Sequence, residues 1–386
     1  MVKRNNKKRK SSFLIHLFLY INLIFVLALL LAYAAEYITP AKFWLPVLFG
    51  LAYPYLALVN VIFIVFWIMA RRIYFLVPLI ALLIGWRDMK ATVAVHKHQT
   101  ADSSLLSLKL LSYNLNNLSN SSHRFDIKLM QQVTGYLNRE SAGIITLQEF
   151  YSNVRDIDDQ LQSLSEKLSL PHYHFDFYTP SENGNHTYAL ILFSKYPIVS
   201  SGTLRGANTK AYAIYCDVVT NRTDTIRIYD IHLESIHFKS DDYAFINDRQ
   251  HYPGDHTNFR ERVRRILWKI KKASQMRAEQ AEKLRSHVDR CPYPVIISGD
   301  FNDVPTSYTY HKLARQFTDA FTEAGYGFGY TFTGLLLVPL QIDHILLSKN
   351  FRAYDMNIPK VKFSDHYPVT TWIHARETAV MNKGRP

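Results

Sequence analysis

Residues Phe13 to Ala35 are 23 consecutive positions without a formal charge, directly behind a basic cluster of Lys3, Arg4, Lys7, Lys8, Arg9 and Lys10. As a helix rising about 1.5 Å per residue, such a run spans the ~30 Å hydrocarbon core of a bilayer. It divides the chain into an apolar helical part and a remainder that must build its own core. A cleaved signal peptide is the competing reading, and Ala32-Tyr33-Ala34 has the look of a cleavage site. The run is too long for one, and two further apolar segments follow it, so it reads as an anchor.

Phe43 to Ala70 is a second uncharged run, with Pro46 and Pro54 near its start, and Ile73 to Trp86 is a third of only 14 residues. The third is about 21 Å as a helix, short for a span unless Arg71, Arg72 and Arg87 snorkel. Residues 13–90 therefore read as a membrane anchor of two or three transmembrane helices after a basic tail at 1–12. With Arg71-Arg72 on the cytoplasmic side, three crossings place everything downstream outside the cytoplasm, and two would leave it inside; the three-span arrangement fits the positive-inside rule. Residues 91–104 read as a tether, 105–376 as one globular domain, and 377–386 as a tail.

The formal charge of +13 suggests a nucleic-acid binder, but residues 1–104 hold 12 Lys and Arg against 3 Asp and Glu. The globular part carries only about +4. That excess belongs beside anionic headgroups, and it weakens a nucleic-acid reading, which needs many neutralised phosphates. Two cysteines, Cys216 and Cys291, have no metal-ligand spacing and read as free thiols.

Short apolar runs alternate irregularly with amphipathic stretches from Leu105 onward. Strands are expected at 106–115, 143–148, 188–194, 211–219, 225–232, 294–298, 342–347 and 367–374, and helices near 126–140, 153–168 and 259–288. That order implies a layered α/β sandwich with mixed sheets.

Within it, Val295 to Val304 (VIISGDFNDV) is a buried-strand pattern that ends by presenting Asp300 and Asn302. Alone, the pair could simply shape an Asx turn. Other strand margins answer it: Asn114 and Glu149 close runs, His232 ends another, and Asp343, Asp365 and His366 stand at the starts of later ones. If the later strands run antiparallel to the earlier, one sheet edge collects the whole set. Glu149, Asp365 and the side-chain oxygen of Asn114 are hard oxygen ligands suited to Mg²⁺, with Mn²⁺ an alternative, and poorly suited to zinc. His232 and His366 beside carboxylates can move protons or steady phosphoryl charge, equipment for attacking a phosphorus ester with water.

Ser112-Tyr113-Asn114, Gln148-Glu149, Ile231-His232-Leu233, Gly299-Asp300-Phe301-Asn302, Gln341-Ile342-Asp343-His344 and Ser364-Asp365-His366 stand in an order that resembles the endonuclease/exonuclease/phosphatase superfamily across about 105–374. The superfamily includes deoxyribonucleases, abasic-site endonucleases, neutral sphingomyelinases and inositol polyphosphate phosphatases; a membrane-anchored, bacterial-type member is implied. So is a four-layer α/β sandwich of two mixed sheets with an Mg²⁺-dependent site at their shared edge. By that resemblance Glu149 is the principal metal ligand with Asn114 and Asp365 nearby. His366, oriented by Asp343, is base or phosphate-stabilising imidazole. Asp300 positions or deprotonates water, and Asn302 and His232 hold the scissile phosphate. The identity of the base and the number of ions stay open. His344 stands where many members have Tyr, and Thr331-Phe332 with Gly334 resembles a substrate-facing loop or is an ordinary turn.

Between His232 and the strand at Pro294 comes a basic helix. Phe259, Val263, Ile266 and Ile270 share one face, and residues 260–272 carry a net +6. It reads equally as a solvated basic face or as a surface for anionic headgroups or substrate. The expected partners are thus a lipid bilayer and a phosphate ester, small or lipid-borne. A nuclease is the alternative, and a catalytically silent membrane-bound binding protein a more distant one.

Overall fold

The computed structural model describes residues 2–96, 107–118, 126–153, 157–180, 186–206, 209–221, 224–247, 256–335 and 340–376. Its N-terminal part is helical: α1 (Val2–Ala34), α2 (Pro46–Leu51), α3 (Tyr53–Met69), a 3₁₀ turn at Ile73–Phe75, α4 (Leu76–Ile84) and α5 (Trp86–Thr92), followed by the short strand β1 (Val93–Val95). By length and composition, Phe13–Ala34 is long and apolar enough to cross a membrane. The second uncharged run does not form one helix. Pro46 and Pro54 each open a helix instead of extending one, and the chain breaks at Ala52 between α2 and α3. Leu29, Ala32, Tyr53, Ala81 and Leu82 knit α1, α3 and α4 together. Two polar contacts cross between α1 and α3: Trp67 Nε1 donates to Asn22 Oδ1 at 3.0 Å, and Asn60 Nδ2 donates to the Phe25 carbonyl at 3.3 Å as well as to the Leu56 carbonyl of its own helix at 2.8 Å.

The expected tether at 91–104 is corrected in its first half. Thr92 ends α5, and β1 pairs with a strand of the globular domain, Val93 opposite Phe328 and Val95 opposite Tyr326. The β-branched Val93 and Val95 favour extended backbone, and with Tyr326–Phe328 this segment makes a separate two-stranded sheet. Residues 97–104 and the tail at 377–386 lie outside the described residues.

The globular part comprises β2 (Ser107–Asn114), α6 (Ile127–Glu140), β3 (Ile144–Asn153), α7 (Ile157–Leu168), β4 (His172–Pro180), β5 (His186–Ser194), β6 (Ile198–Arg205), β7 (Ala211–Asn221), β8 (Asp224–His232), α8 (Ser240–Asn247), α9 (His256–Val288), β9 (Val295–Asp300), α10 (Tyr308–Ala314), β10 (Phe317–Asp319), α11 (Ala320–Ala324), β11 (Tyr326–Phe328), β12 (Asp343–Ser348), β13 (Phe351–Asn357) and β14 (Val369–Ala375). Two six-stranded sheets face each other, in the orders β13-β14-β2-β3-β5-β4 and β10-β12-β9-β8-β7-β6. Both are mixed, since β2 and β3 run parallel, as do β8 and β9, and the other pairs are antiparallel. The period-two pattern separates the layers. Leu108 and Leu110 point inward to meet Ile214, Ile228, Ile296 and Ile345, while Leu111 and Tyr113 pack outward beside α6 and α7. Tyr229, Val295 and Ile297 turn the other way, toward Ala281 and Leu284 of α9. This is the α/β sandwich of two mixed sheets that the sequence pattern implies. Both cysteines are free, Cys216 in the inner core and Cys291 half-buried.

The topology carries the site to one edge. β2, β8 and β9 end there, β3 passes through it with Glu149 at an irregularity in the strand, and β12 starts there, as does β14 just after His366. Across three neighbouring strands His232, Asp300 and Asp343 are register partners.

Candidate active site

Two local departures from regular strand aim the acids. Gln148 and Glu149 together stand opposite Leu190, a β-bulge in which Glu149 takes φ 52°. The bulge turns Glu149 out of the ladder and into a cavity of about 290 Å³. At the end of β9, Gly299 has φ 134°, and a Cβ there would sit 2.1 Å from the Ile231 carbonyl oxygen. Only glycine permits that approach of β9 to β8, which brings Asp300 alongside His232. Asn302, also at positive φ, turns the chain back toward the cavity.

Asp300 is the hub. Its carboxylate accepts from Asn114 Nδ2 at 2.9 Å, from the Asn302 backbone N–H at 2.7 Å and from Asn302 Nδ2 at 3.0 Å. His232 Nε2 lies 3.6 Å from it and 3.3 Å from Glu149 Oε1. His366 Nε2 lies 3.9 Å away on the other side, and His366 Nδ1 is hydrogen-bonded to Asp343 Oδ2 at 2.9 Å. Thr331 Oγ1 accepts from the backbone N–H groups of Ile342 and Asp343, each at 3.1 Å, and fixes where β12 begins. Phe332 packs against the His366 ring at 5.0 Å between centroids. The Asp365 carbonyl accepts from both the backbone N–H and the hydroxyl of Thr333, so this loop and the Asp365-His366 pair are tied together.

Burial raises the pKa of Glu149, and the neighbouring Asp365 adds to it. Asp300 is raised by burial and then by Asp343, against the opposing pull of His366. His232 is pushed down to about 3 by burial and by the positive field of His366 and His237, so it is neutral. Burial also works against the charged form of His366, but Asp343 and Asp300 outweigh it and lift this imidazole to about 10. Like-charged carboxylates crowded into a covered pocket are what a cation would stabilise. Asp300, Asp343 and His366 offer ligand atoms that lie within 4.8 Å of one another, and Glu149 and Asp365 line the same cavity. The donor set therefore fits a divalent metal ion.

All eight residues singled out from the sequence, Asn114, Glu149, His232, Asp300, Asn302, Asp343, Asp365 and His366, come together at this edge. Two differ in how they are turned. The Asn114 oxygen accepts from the Asn116 backbone N–H at 2.9 Å, so the face toward Glu149 and Asp300 is the amide nitrogen rather than a ligating oxygen. The Asn302 amide is committed to Asp300 and to the Leu233 carbonyl at 3.0 Å, and so holds Asp300 in place rather than presenting free donors to a phosphate. His344 does not line the cavity: its ring packs edge-to-face on Phe301 and tilted against Tyr310, with Nε2 on the Asp303 carbonyl at 3.2 Å.

The Endonuclease/Exonuclease/phosphatase family model matches residues 111–366, two thirds of the chain and every one of these eight positions. The chain belongs to this family. Its members are metal-dependent hydrolases of phosphoric ester bonds, and this chain is an enzyme of that class. A second model, described as a domain of unknown function, matches residues 15–92. Among curated proteins no relative matches. Of solved structures, an endonuclease/exonuclease/phosphatase from Beutenbergia cavernae is similar in fold, with a TM-score of 0.51 at 16% identity over 70% of this chain and 72% of that one. The human nocturnin catalytic domain is similar at a TM-score of 0.48 and 17% identity, over 70% of this chain and 96% of that one. A mannosyl-6-phosphatase from Bacteroides thetaiotaomicron has a TM-score of 0.45 and 17% identity, over 69% and 99% respectively.

Sequence reasoning missed part of this family member's cavity wall. Ser235, His237, Phe238 and Tyr243 line it from the segment after β8, and Asn116 from the turn after β2. The recurrence of histidine and tyrosine after His232 was the available signal. Leu51, at the end of α2, also lines the cavity, and nothing in the sequence points to an N-terminal residue there.

Proposed function

We propose that the chain is a membrane-anchored phosphoesterase that uses Mg²⁺ and water to hydrolyse a phosphodiester or phosphomonoester. One observation carries this reading: the Asp343–His366 pair, Asp300 with its two amide partners, and Glu149 beside His232 converge on a single cavity. Glu149 and Asp365 are the residues assigned to hold the ion. In the closer trio, His366 Nδ1 and Asp343 are already bonded to each other, and Asp300 is engaged by Asn114 and Asn302. When bound, Mg²⁺ supplies charge neutralisation at the phosphoryl oxygens.

The chain's own groups do the rest. Asp300 accepts a proton as the water oxygen bonds to phosphorus and the leaving oxygen departs. His366, its ring held through Asp343, faces the phosphoryl oxygens and stabilises their charge. His232 steadies the phosphate from the Glu149 side. Asn114 and Asn302 are positioning residues that fix the Asp300 rotamer.

We assign α1 as the membrane anchor, with α3 and the apolar segment Ile73–Ile84, its flanking arginines snorkelling, as further crossings; that arrangement puts the catalytic domain outside the cytoplasm. The bilayer is then a partner of α9. Its N-terminal half exposes Phe259 and Trp268, 56% and 58% accessible, among basic side chains, and Gln275 further along it donates to the Pro40 carbonyl of the N-terminal unit. Arg265 and Lys269 are not free for headgroups, because both clamp Asp242.

The test is the purified full chain in nanodiscs, assayed with Mg²⁺ or chelator on a soluble p-nitrophenyl phosphodiester, a phosphomonoester, phospholipid and DNA. Chelator, Asp300→Ala and His366→Ala should each lower phosphoester turnover at least about a hundredfold. Turnover indifferent to all three defeats the reading, and turnover of DNA alone replaces it with a nuclease.

A further inference from the structure

A second cavity of about 280 Å³ lies between the N-terminal helices and the catalytic domain. Its wall is largely apolar. Leu51, Tyr55 and Leu58 come from α2 and α3, and Val304, Phe328 and Leu340 from loops and β11 of the catalytic domain. Leu51 and Leu340 also line the catalytic cavity, so the two spaces share a partition. Leu51 and Leu340 pack in turn on the small cluster of Val304, Phe332 and Ile342, and Phe332 carries the His366 ring.

The N-terminal unit is held tightly at this point. Thr306 Oγ1 donates to the Gly50 carbonyl at 2.9 Å, and a Cβ on Gly50 would stand 3.1 Å from the Thr306 carbonyl oxygen. At its other end the cavity reaches the accessible side of α3: Leu58 is 57% accessible, and Ile62 and Val65, one and two turns on, continue the same apolar face.

A polar, cation-ready cavity that shares two wall leucines with an apolar one, which opens along an apolar helix, matches one kind of molecule. We propose that the second cavity receives the hydrocarbon chain of a membrane phospholipid whose phosphate ester occupies the catalytic cavity. The N-terminal helices then form part of the substrate site as well as an anchor. This inference rests on the phosphoesterase reading above and narrows its substrate to an amphiphile. A small hydrophilic phosphate ester would leave the apolar wall of α2 and α3 without a purpose in binding. A phospholipid satisfies both halves, and burial of each methylene adds to its affinity.

The test uses the full chain in nanodiscs, with protein-free nanodiscs as blank, on a series of p-nitrophenyl alkyl phosphates from methyl to octyl. KM should fall about fourfold for each added methylene, the equivalent of about 0.8 kcal/mol, until the chain fills the cavity. Leu58→Trp should flatten that gradient and leave turnover of the methyl ester unchanged. Leu58→Ala, the milder variant, should raise KM for the octyl ester several-fold with the same methyl-ester rate. Independently of turnover, a long-chain alkyl phosphate ending in a diazirine should label peptides containing residues 50–58 and 328–330, and Leu58→Trp should suppress that label.

Hydrolysis of the methyl ester with no chain-length gradient, or label confined to the rest of α1 and α3, overturns the lipid-chain assignment and leaves the phosphoesterase reading standing. Hydrolysis of p-nitrophenyl phosphate, a monoester run beside the series, with no hydrolysis of any alkyl ester likewise overturns only the lipid-chain assignment, and absence of hydrolysis of the monoester and of the whole series ends both.

Discussion

Replacing Asp343 with Asn separates the catalytic role of the Asp343–His366 pair from its structural one. Both residues are buried, 3% and 5% accessible, and Asp343 Oδ2 lies 2.9 Å from His366 Nδ1. The carboxylate can only accept from that nitrogen, which leaves Nε2 turned toward Asp300 and the cavity. Asn is nearly isosteric, keeps a hydrogen bond and removes the charge that favours the imidazolium. The backbone N–H of residue 343 still donates to Thr331 Oγ1, so the start of β12 stays where it is. The folding cost should therefore be about 1 kcal/mol, within the range of one neutral hydrogen bond. The catalytic cost should be far larger. An imidazole no longer held as the cation that faces the phosphoryl oxygens forfeits about a hundredfold to a thousandfold in rate, or about 3 to 4 kcal/mol of barrier. Steady-state kinetics on a soluble p-nitrophenyl phosphodiester, beside circular dichroism and a thermal melt, read both numbers. A kcat reduced less than threefold, or a loss confined to KM, would refute the reasoning.

Gly299→Ala should destabilise the fold by about 2 to 5 kcal/mol, because it combines a φ that only glycine tolerates with a Cβ overlapping the Ile231 carbonyl; a melt unchanged from wild type would contradict that. Asp242 is held by Lys269 at 2.7 Å and Arg265 at 2.8 Å. Burial pushes its carboxyl up, but the Lys269, Lys239 backbone and Arg265 hydrogen bonds outweigh that and bring it down to about 2. Its folded pKa is thus below its unfolded one, so its stabilisation, about 2 kcal/mol, is complete above about pH 4 and is lost as pH falls toward 2. The stability gap between wild type and Asp242→Asn should close over that window, and a gap independent of pH would count against the clamp. Reversing Arg264, Lys271 and Lys272 to Glu should weaken binding to anionic vesicles by about 1 kcal/mol or more per site with little effect on neutral ones; equal binding to both lipids before and after reversal would remove the headgroup contact.

Much of the site was legible because strand ends interrupt apolar runs abruptly. Asn114, His232 and Asp300 each close an apolar strand pattern, and Asp343 and His366 precede one, so strands running antiparallel to the earlier ones bring them to one edge. What escaped is what tertiary contact decides. β4 and β6, with the sequences HYHFDFYTP and IVSSGTLR, lie at sheet edges where one side meets solvent, and their apolar content is too diluted by polar residues to mark a strand. The bulge at Glu149 has no local signature, since neither Gln148 nor Glu149 is a residue that favours positive φ. Which way the amides of Asn114 and Asn302 turn depends on the Asn116 N–H and the Leu233 carbonyl, the second brought close only by the packing of β8 against β9. The entry of Leu51 into the cavity wall depends on Gly50 meeting Thr306, a contact between residues 256 positions apart.

Glu149, turned into the cavity by its bulge, is the residue proposed to hold the divalent ion on which hydrolysis depends. Calorimetric titration of Mg²⁺ into the full chain, paired with turnover at each concentration, tests it directly. Binding in the wild type should saturate and track activity, and Glu149→Gln should bind at least about tenfold more weakly with activity lost in step. Glu149→Gln that binds Mg²⁺ and turns over like the wild type would contradict it.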